Sequence, residues 1–256
     1  MRKCLLSITA VLLLFAPARA SAQITLGCVR PAQLTSPFAF VSVNGRCTDL
    51  SAFIVAQAKG WTLSTRANVG GAIIDLSAIF DPDPGISFSG TTANPSLTAT
   101  SYAFLFGTPI VPDMYSLALA SVQFSATSVA GTTTVANSGT YPTYISGYAA
   151  AGATLTNLGV DVGMNDCVAS GVAASRTCVA EQKSNSFAPA FYTSLEALVT
   201  YTQDNTLSTA TFTGMVVLDK VNQVTVTPEP STLVFFGTGL LVLGGYVSRR
   251  RDRRRA

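Results

Sequence analysis

Seven stretches of the chain alternate apolar and polar residues with a period of two. They are 61–64 (WTLS), 86–89 (ISFS), 96–104 (SLTATSYAF), 121–129 (SVQFSATSV), 199–203 (VTYTQ), 208–217 (STATFTGMVV) and 222–227 (NQVTVT). Val, Thr, Tyr and Phe fill them, the residue types that suit a pleated, half-buried surface. Clusters of Gly, Pro, Asn and Asp separate them, at 80–85 (FDPDPG), 92–95, 107–113 (GTPIVPD), 136–142 and 203–205, and each predicts a turn. Many short strands between turns predict an all-β, antiparallel sandwich or jelly-roll-like domain over residues 23–227. A helical period is confined to 50–60 (LSAFIVAQAKG) and 191–199 (FYTSLEALV), where short helices are expected. The small-residue stretch 149–167 predicts a long loop. No internal repeat of fixed period is present, which argues against a solenoid or propeller.

Two apolar runs break this pattern. Residues 5–16 (LLSITAVLLLFA) follow the basic start Met1-Arg2-Lys3 and precede the small-residue site PARASAQ. A basic start, a twelve-residue apolar run and small residues in that order predict a signal peptide over 1–22, cleaved after Ala22. The run is too short to span a bilayer, which takes ~20 helical residues. Export through the general secretion machinery and signal peptidase follows. Cys4 lies before this run and Cys28 well beyond it, so neither has lipoprotein spacing.

The second run, Leu233 to Val247, is fifteen residues without a charge, between Pro228-Glu229-Pro230 and the basic tail 248–256. Counting Ser231 and Thr232, a helix there covers ~25 Å, and snorkelling arginines extend its reach towards a ~30 Å hydrocarbon core. Arg249, Arg250, Arg251, Arg253, Arg254 and Arg255 mark the cytoplasmic end by the positive-inside rule. A membrane anchor with its domain outside is the expectation, and the two prolines keep the chain extended where it meets the membrane.

Charge changes meaning once these ends are set aside. The chain has 16 Lys+Arg against 13 Asp+Glu. Only seven of the basic residues but eleven of the acidic ones lie within 23–227, a net of −4. Such a domain has no electrostatic footprint for nucleic acid. There is no histidine, hence no imidazole base, no Ser-His-Asp or Cys-His dyad and no His-ligated metal. Phosphate-binding and nucleophile-elbow motifs are also missing. A non-enzymatic protein without cofactor or metal is expected. Asp81 and Asp83 alternate as calcium ligands sometimes do, but the prolines and Gly85 around them predict a plain turn. The segment 161–166 (DVGMND) is a weaker candidate of the same kind. Trp61 is the single tryptophan, expected in the core; with the eight tyrosines it offers stacking surfaces for a carbohydrate-binding alternative.

Cys28, Cys47, Cys167 and Cys178 follow the signal. An even count in an exported chain predicts two disulfides. Three connectivities exist; short loops close most readily, favouring Cys28–Cys47 and Cys167–Cys178.

The C-terminal arrangement resembles the PEP-CTERM sorting signal: Pro228-Glu229-Pro230-Ser231-Thr232, an apolar run with Gly237, Gly239, Gly244 and Gly245, then an arginine cluster. The resemblance covers about the last 29 residues. It implies recognition by an exosortase, a membrane-embedded protease or transpeptidase, with Pro228-Glu229-Pro230 as the recognition site. It also implies a protein of the cell surface or of an exopolysaccharide, biofilm-type matrix. A permanently anchored single-pass protein is the alternative without processing.

Overall fold

The computed structural model describes residues 27–220 apart from 95, 97, 130, 139–142, 164 and 205–207. The signal peptide, the segment 222–227, the sorting motif, the apolar run 233–247 and the arginine tail lie outside the described residues.

The described residues are all-β and antiparallel. Fourteen strands follow in chain order: β1 (Phe38–Val43), β2 (Arg46–Asp49), β3 (Ile54–Gln57), β4 (Gly60–Val69), β5 (Ala72–Asp81), β6 (Gly85–Asn94), β7 (Thr100–Thr127), β8 (Thr132–Ala136), β9 (Ile145–Ala151), β10 (Thr154–Asn157), β11 (Cys167–Ser170), β12 (Ser175–Thr177), β13 (Glu181–Gln203) and β14 (Ser208–Lys220). All belong to one sheet, with the order β10-β9-β13-β7-β14-β6-β5-β4-β3 as its spine.

Two very long strands turn this sheet into two layers. β7 pairs with β13 from Thr100 to Val122 and with β12 at Ser125–Thr127. On its other edge β7 meets β1 through residues 102–107 and β14 through 115–127. One layer therefore contains β2, β1, the first half of β7, the second half of β13, β9 and β10. The other contains β12, the second half of β7, β14, β6, β5, β4 and β3. The layers face each other through aromatic rings: Phe104 of the first lies 4.8 Å from Phe212 of the second, and Phe106 stacks on Phe88 at 5.1 Å. Tyr201 closes the same cluster edge-on against Phe124 and Phe212. Burying such rings is the main stabilising term available here.

Glycines shape that aromatic core by what they lack. Gly90 on β6 is opposite Phe212 on β14, and Gly214 is opposite Phe88. A Cβ on Gly90 would come within 2.5 Å of the Phe212 ring. Each phenylalanine lies across the glycine facing it, a close approach that no other residue permits.

Four sequence expectations are corrected. The first helix does not form: Ser51–Phe53 make one 3-10 turn, and Ile54–Gln57 then pair with β4 as β3. The second, 191–199, lies inside β13. From Ser194 to Thr200 that strand is buried on both faces, so its apolar positions lose the alternation that marks a strand and mimic a buried helix. The turn at 107–113 is strand β7 throughout. Pro109 and Pro112 are tolerated because they fall where β7 has left β1 and has not yet met β14, so one edge lacks a ladder partner. The expected loop 149–167 holds the end of β9 and all of β10 before it becomes irregular.

Candidate functional site

The two layers differ in what lies on their outer faces. On the first, alternate residues of β1, β7, β9 and β13 point away from the main core and form a second apolar cluster: Phe38, Phe40, Leu105, Tyr148 and Leu198. The irregular segment 27–37 covers it as a strap. Cys28 and Leu34 of the strap pack onto the cluster, together with Cys47 of β2. The Cys28–Cys47 disulfide, Cα atoms 5.4 Å apart, fastens the strap to the β1–β2 hairpin. That hairpin turns through Asn44 and Gly45, both at positive φ, a two-residue turn that suits Asn-Gly. Phe38 lies over Gly107, whose missing side chain leaves room for the ring.

Beneath the strap is a buried charge. Glu196 of β13 has no exposed side-chain surface, and Arg30 of the strap closes on it. Arg30 Nε donates to Glu196 Oε1 at 2.6 Å, and the guanidinium Nη2 approaches the same oxygen. Oε2 is buried without a hydrogen-bond partner among the described residues. Burial raises the Glu196 carboxyl above its ordinary 4.5, and the hydrogen bond and charge of Arg30 pull it back only in part. This group is sealed from solutes while the strap is in place. The sequence carries no signal for the pair: Arg30 and Glu196 are 166 residues apart.

The outer face of the second layer is bare and polar. Around its centre Ser64, Ser77, Ser89, Thr91, Thr211 and Thr213 point outward with Arg66 and Asp75, while Ile73, Ile79, Met215 and Val217 share the face farther out, and an open groove of about 470 Å³ runs over β4, β5, β6 and β14. At its edge Arg66 and Asp75 form an exposed ion pair at 3.6 Å.

The remaining sequence candidates fall elsewhere. Cys167 of β11 is bonded to Cys178, Cα atoms 5.8 Å apart. This disulfide walls a cavity of about 180 Å³ with Tyr144, Asn165, Asp166, Arg176 and Glu181. Asp81 and Asp83 sit in the turn between β5 and β6, where the Asp83 N–H donates to the Asp81 carboxylate at 2.9 Å. Lys220 pairs with Asp83 and with Asp113. Among the described residues no group of three metal-ligating side chains converges. Trp61 is half-buried against the main core. Tyr102, Tyr115, Tyr144, Tyr148, Tyr192 and Tyr201 are all buried, so the described tyrosines present no stacking platform to a sugar.

No curated protein matches the sequence. Two solved structures show weak likeness. One is TmCBM61 in complex with β-1,4-galactotriose, at 7% identity and TM-score 0.23, covering 57% of this chain and 88% of that one. The other is the infectious bursal disease virus Gx strain, at 11% identity and TM-score 0.12, covering 84% and 70%. At these scores neither likeness carries an argument. The family comparison is of a different kind, because it finds a defined segment with the order read above: proline-flanked glutamate, apolar run, arginines. Residues 226–254 match the PEP-CTERM protein-sorting motif, and the chain is a protein that carries a PEP-CTERM sorting signal.

Proposed function

We propose that this is an exported, non-enzymatic protein of the cell surface or extracellular matrix, sorted by an exosortase. The observation that carries the reading is the sorting motif at 226–254. In this account the signal peptide directs the chain to the secretion machinery and is removed by signal peptidase. The run Leu233–Val247 holds the intermediate in the membrane with its domain outside. Arg249, Arg250, Arg251 and Arg253, Arg254, Arg255 stay on the cytoplasmic side. The exosortase then cleaves at or near Pro228-Glu229-Pro230, before the chain reaches the matrix.

The disulfides Cys28–Cys47 and Cys167–Cys178 fit an oxidising compartment. The lack of any histidine supports a binding or structural role over an imidazole-dependent hydrolase. The test is the intact mass of the protein recovered from its host, with its C-terminal peptide sequenced. A chain ending near Pro228–Pro230, and full-length retention after substitution of that triplet, are the expected results. A mature chain that still ends in Arg253-Arg254-Arg255-Ala256 would leave a permanent single-pass anchor instead.

A further inference from the structure

The bare outer face of the second layer is an ordered array of hydroxyls. Strand registers place Arg66, Asp75, Thr91, Thr211, Ser125 and Thr177 in one row across six neighbouring strands. The next row runs through Ser64, Ser77, Ser89, Thr213 and Gln123. A third brings Thr209, Thr127 and Ser175 together. Hydroxyls bond across strands along these rows: Thr91 to Thr211 at 3.3 Å, Ser125 to Thr177 at 3.1 Å and Thr127 to Ser175 at 3.1 Å. Sheet geometry sets their spacing at ~4.8 Å from strand to strand and ~6.8 Å along a strand.

The geometry points to this face, centred on the groove over β4, β5, β6 and β14, as a docking surface for a neutral, linear polysaccharide. Charge selects the class. The rows contain one cation and one anion, and these neutralise each other at Arg66–Asp75. The surrounding domain is net negative, so acidic polymers are repelled and a neutral one is not. The outward apolar side chains of this face, Ile73 and Ile79 of β5 and Met215 and Val217 of β14, lie beyond the groove, which none of them lines, so the groove itself offers little to an apolar protein contact. What the face offers is hydroxyls that both donate and accept, which is what a polyhydroxylated chain requires of its partner. The backbone beneath is fully laddered, so little is left to be ordered on binding. Each hydroxyl exchanges one water bond for one sugar bond and gains little alone. Binding therefore needs many sugars in a row, and short oligosaccharides compete poorly.

This inference depends on the proposed export, because the face must meet extracellular polymer. Its test does not depend on sorting: full-length protein, purified in non-ionic detergent, is mixed with insoluble cellulose, curdlan or cross-linked dextran, with calcium alginate gel as the acidic comparison. At least one neutral polymer should deplete the protein, alginate should not, and a trisaccharide of the same linkage should release little. Thr91→Val, Thr211→Val and Thr213→Val together remove hydroxyls while keeping shape and β-branching, and should lower the bound fraction at least fivefold with an unchanged melting temperature. Ser77→Ala with Ser89→Ala, in the same groove, repeats the test if the triple variant folds poorly. Binding to no neutral polymer, stronger binding to alginate, or equal binding by folded variants would overturn the proposal. So would self-association in sedimentation that the Thr→Val changes abolish, since the face would then join copies of the chain.

Discussion

The two outer faces of this sandwich are built from the same antiparallel ladder, yet one is covered and the other is open. The covered face carries Phe38, Phe40, Leu105, Tyr148 and Leu198. It needs the strap 27–37 to remove that surface from water, and one disulfide and one ion pair hold the strap there. The open face carries hydroxyls at the equivalent alternate positions and is already satisfied by water and by its neighbours. The covered face tolerates a buried glutamate only because Arg30 reaches it. A charge on the open face keeps its hydration, and the Arg66–Asp75 pair contributes little to stability. Of the two outer faces only the covered one adds buried apolar surface to the main core, whereas the open face is free for contact.

Four outcomes would break or sharpen this contrast. The largest is expected for Arg30→Ala, which leaves Glu196 buried without its cation; breaking a buried pair from one side costs about 3–5 kcal/mol, read as a fall in the urea midpoint. A loss under 1 kcal/mol would show that the strap does not hold that face. Next, Cys28→Ser with Cys47→Ser should cost about 3 kcal/mol in the loop-closure picture. It should also open Arg30 to trypsin, whereas intact protein is protected there; equal protection would separate the disulfide from the seating of the strap.

The third concerns pH. The folded state holds the Glu196 proton more tightly than the unfolded chain, whose carboxyl titrates near 4.5. Its stabilising contribution is therefore complete below that value and is lost as pH rises through the raised folded-state value. Glu196→Gln has no such titration. The melting temperature of the native protein relative to this variant should fall as pH rises from 4 to 8, and a constant difference would contradict the buried-carboxyl account. The smallest effect is expected on the open face: Thr91→Val should change stability by no more than about 0.5 kcal/mol. A larger loss would mean that its hydroxyl rows support the fold.

Much of the open layer was legible in sequence, because one side of it faces water and its polarity alternates. Residues 86–89 and 208–217 fall inside β6 and β14. The layer under the strap was legible only in part: 100–104 and 199–203 fall inside β7 and β13, but the middle of it was misread. Burial on both faces of β13 erased the alternation around Leu195–Val199 and suggested a helix. The Asn44-Gly45 and Gly70-Gly71 pairs, all at positive φ, are the local signal that could have revealed the hairpins there and at β4–β5. The prolines at 109 and 112 misled in the opposite sense, since a proline forbids only a paired N–H and β7 has an unpaired edge at that point.

The sequence by itself determined the class of domain and the sorting signal and favoured the two cysteine pairs that the structure shows, because alternation, short loops and an ordered terminal motif are all local. Only the tertiary structure decided that Arg30 meets Glu196, that Phe212 and Phe88 lie across Gly90 and Gly214, and that serines and threonines from six strands fall into common rows. Those depend on strand register and on the path of β7 and β13 between the layers, which bring distant residues together without leaving a local trace.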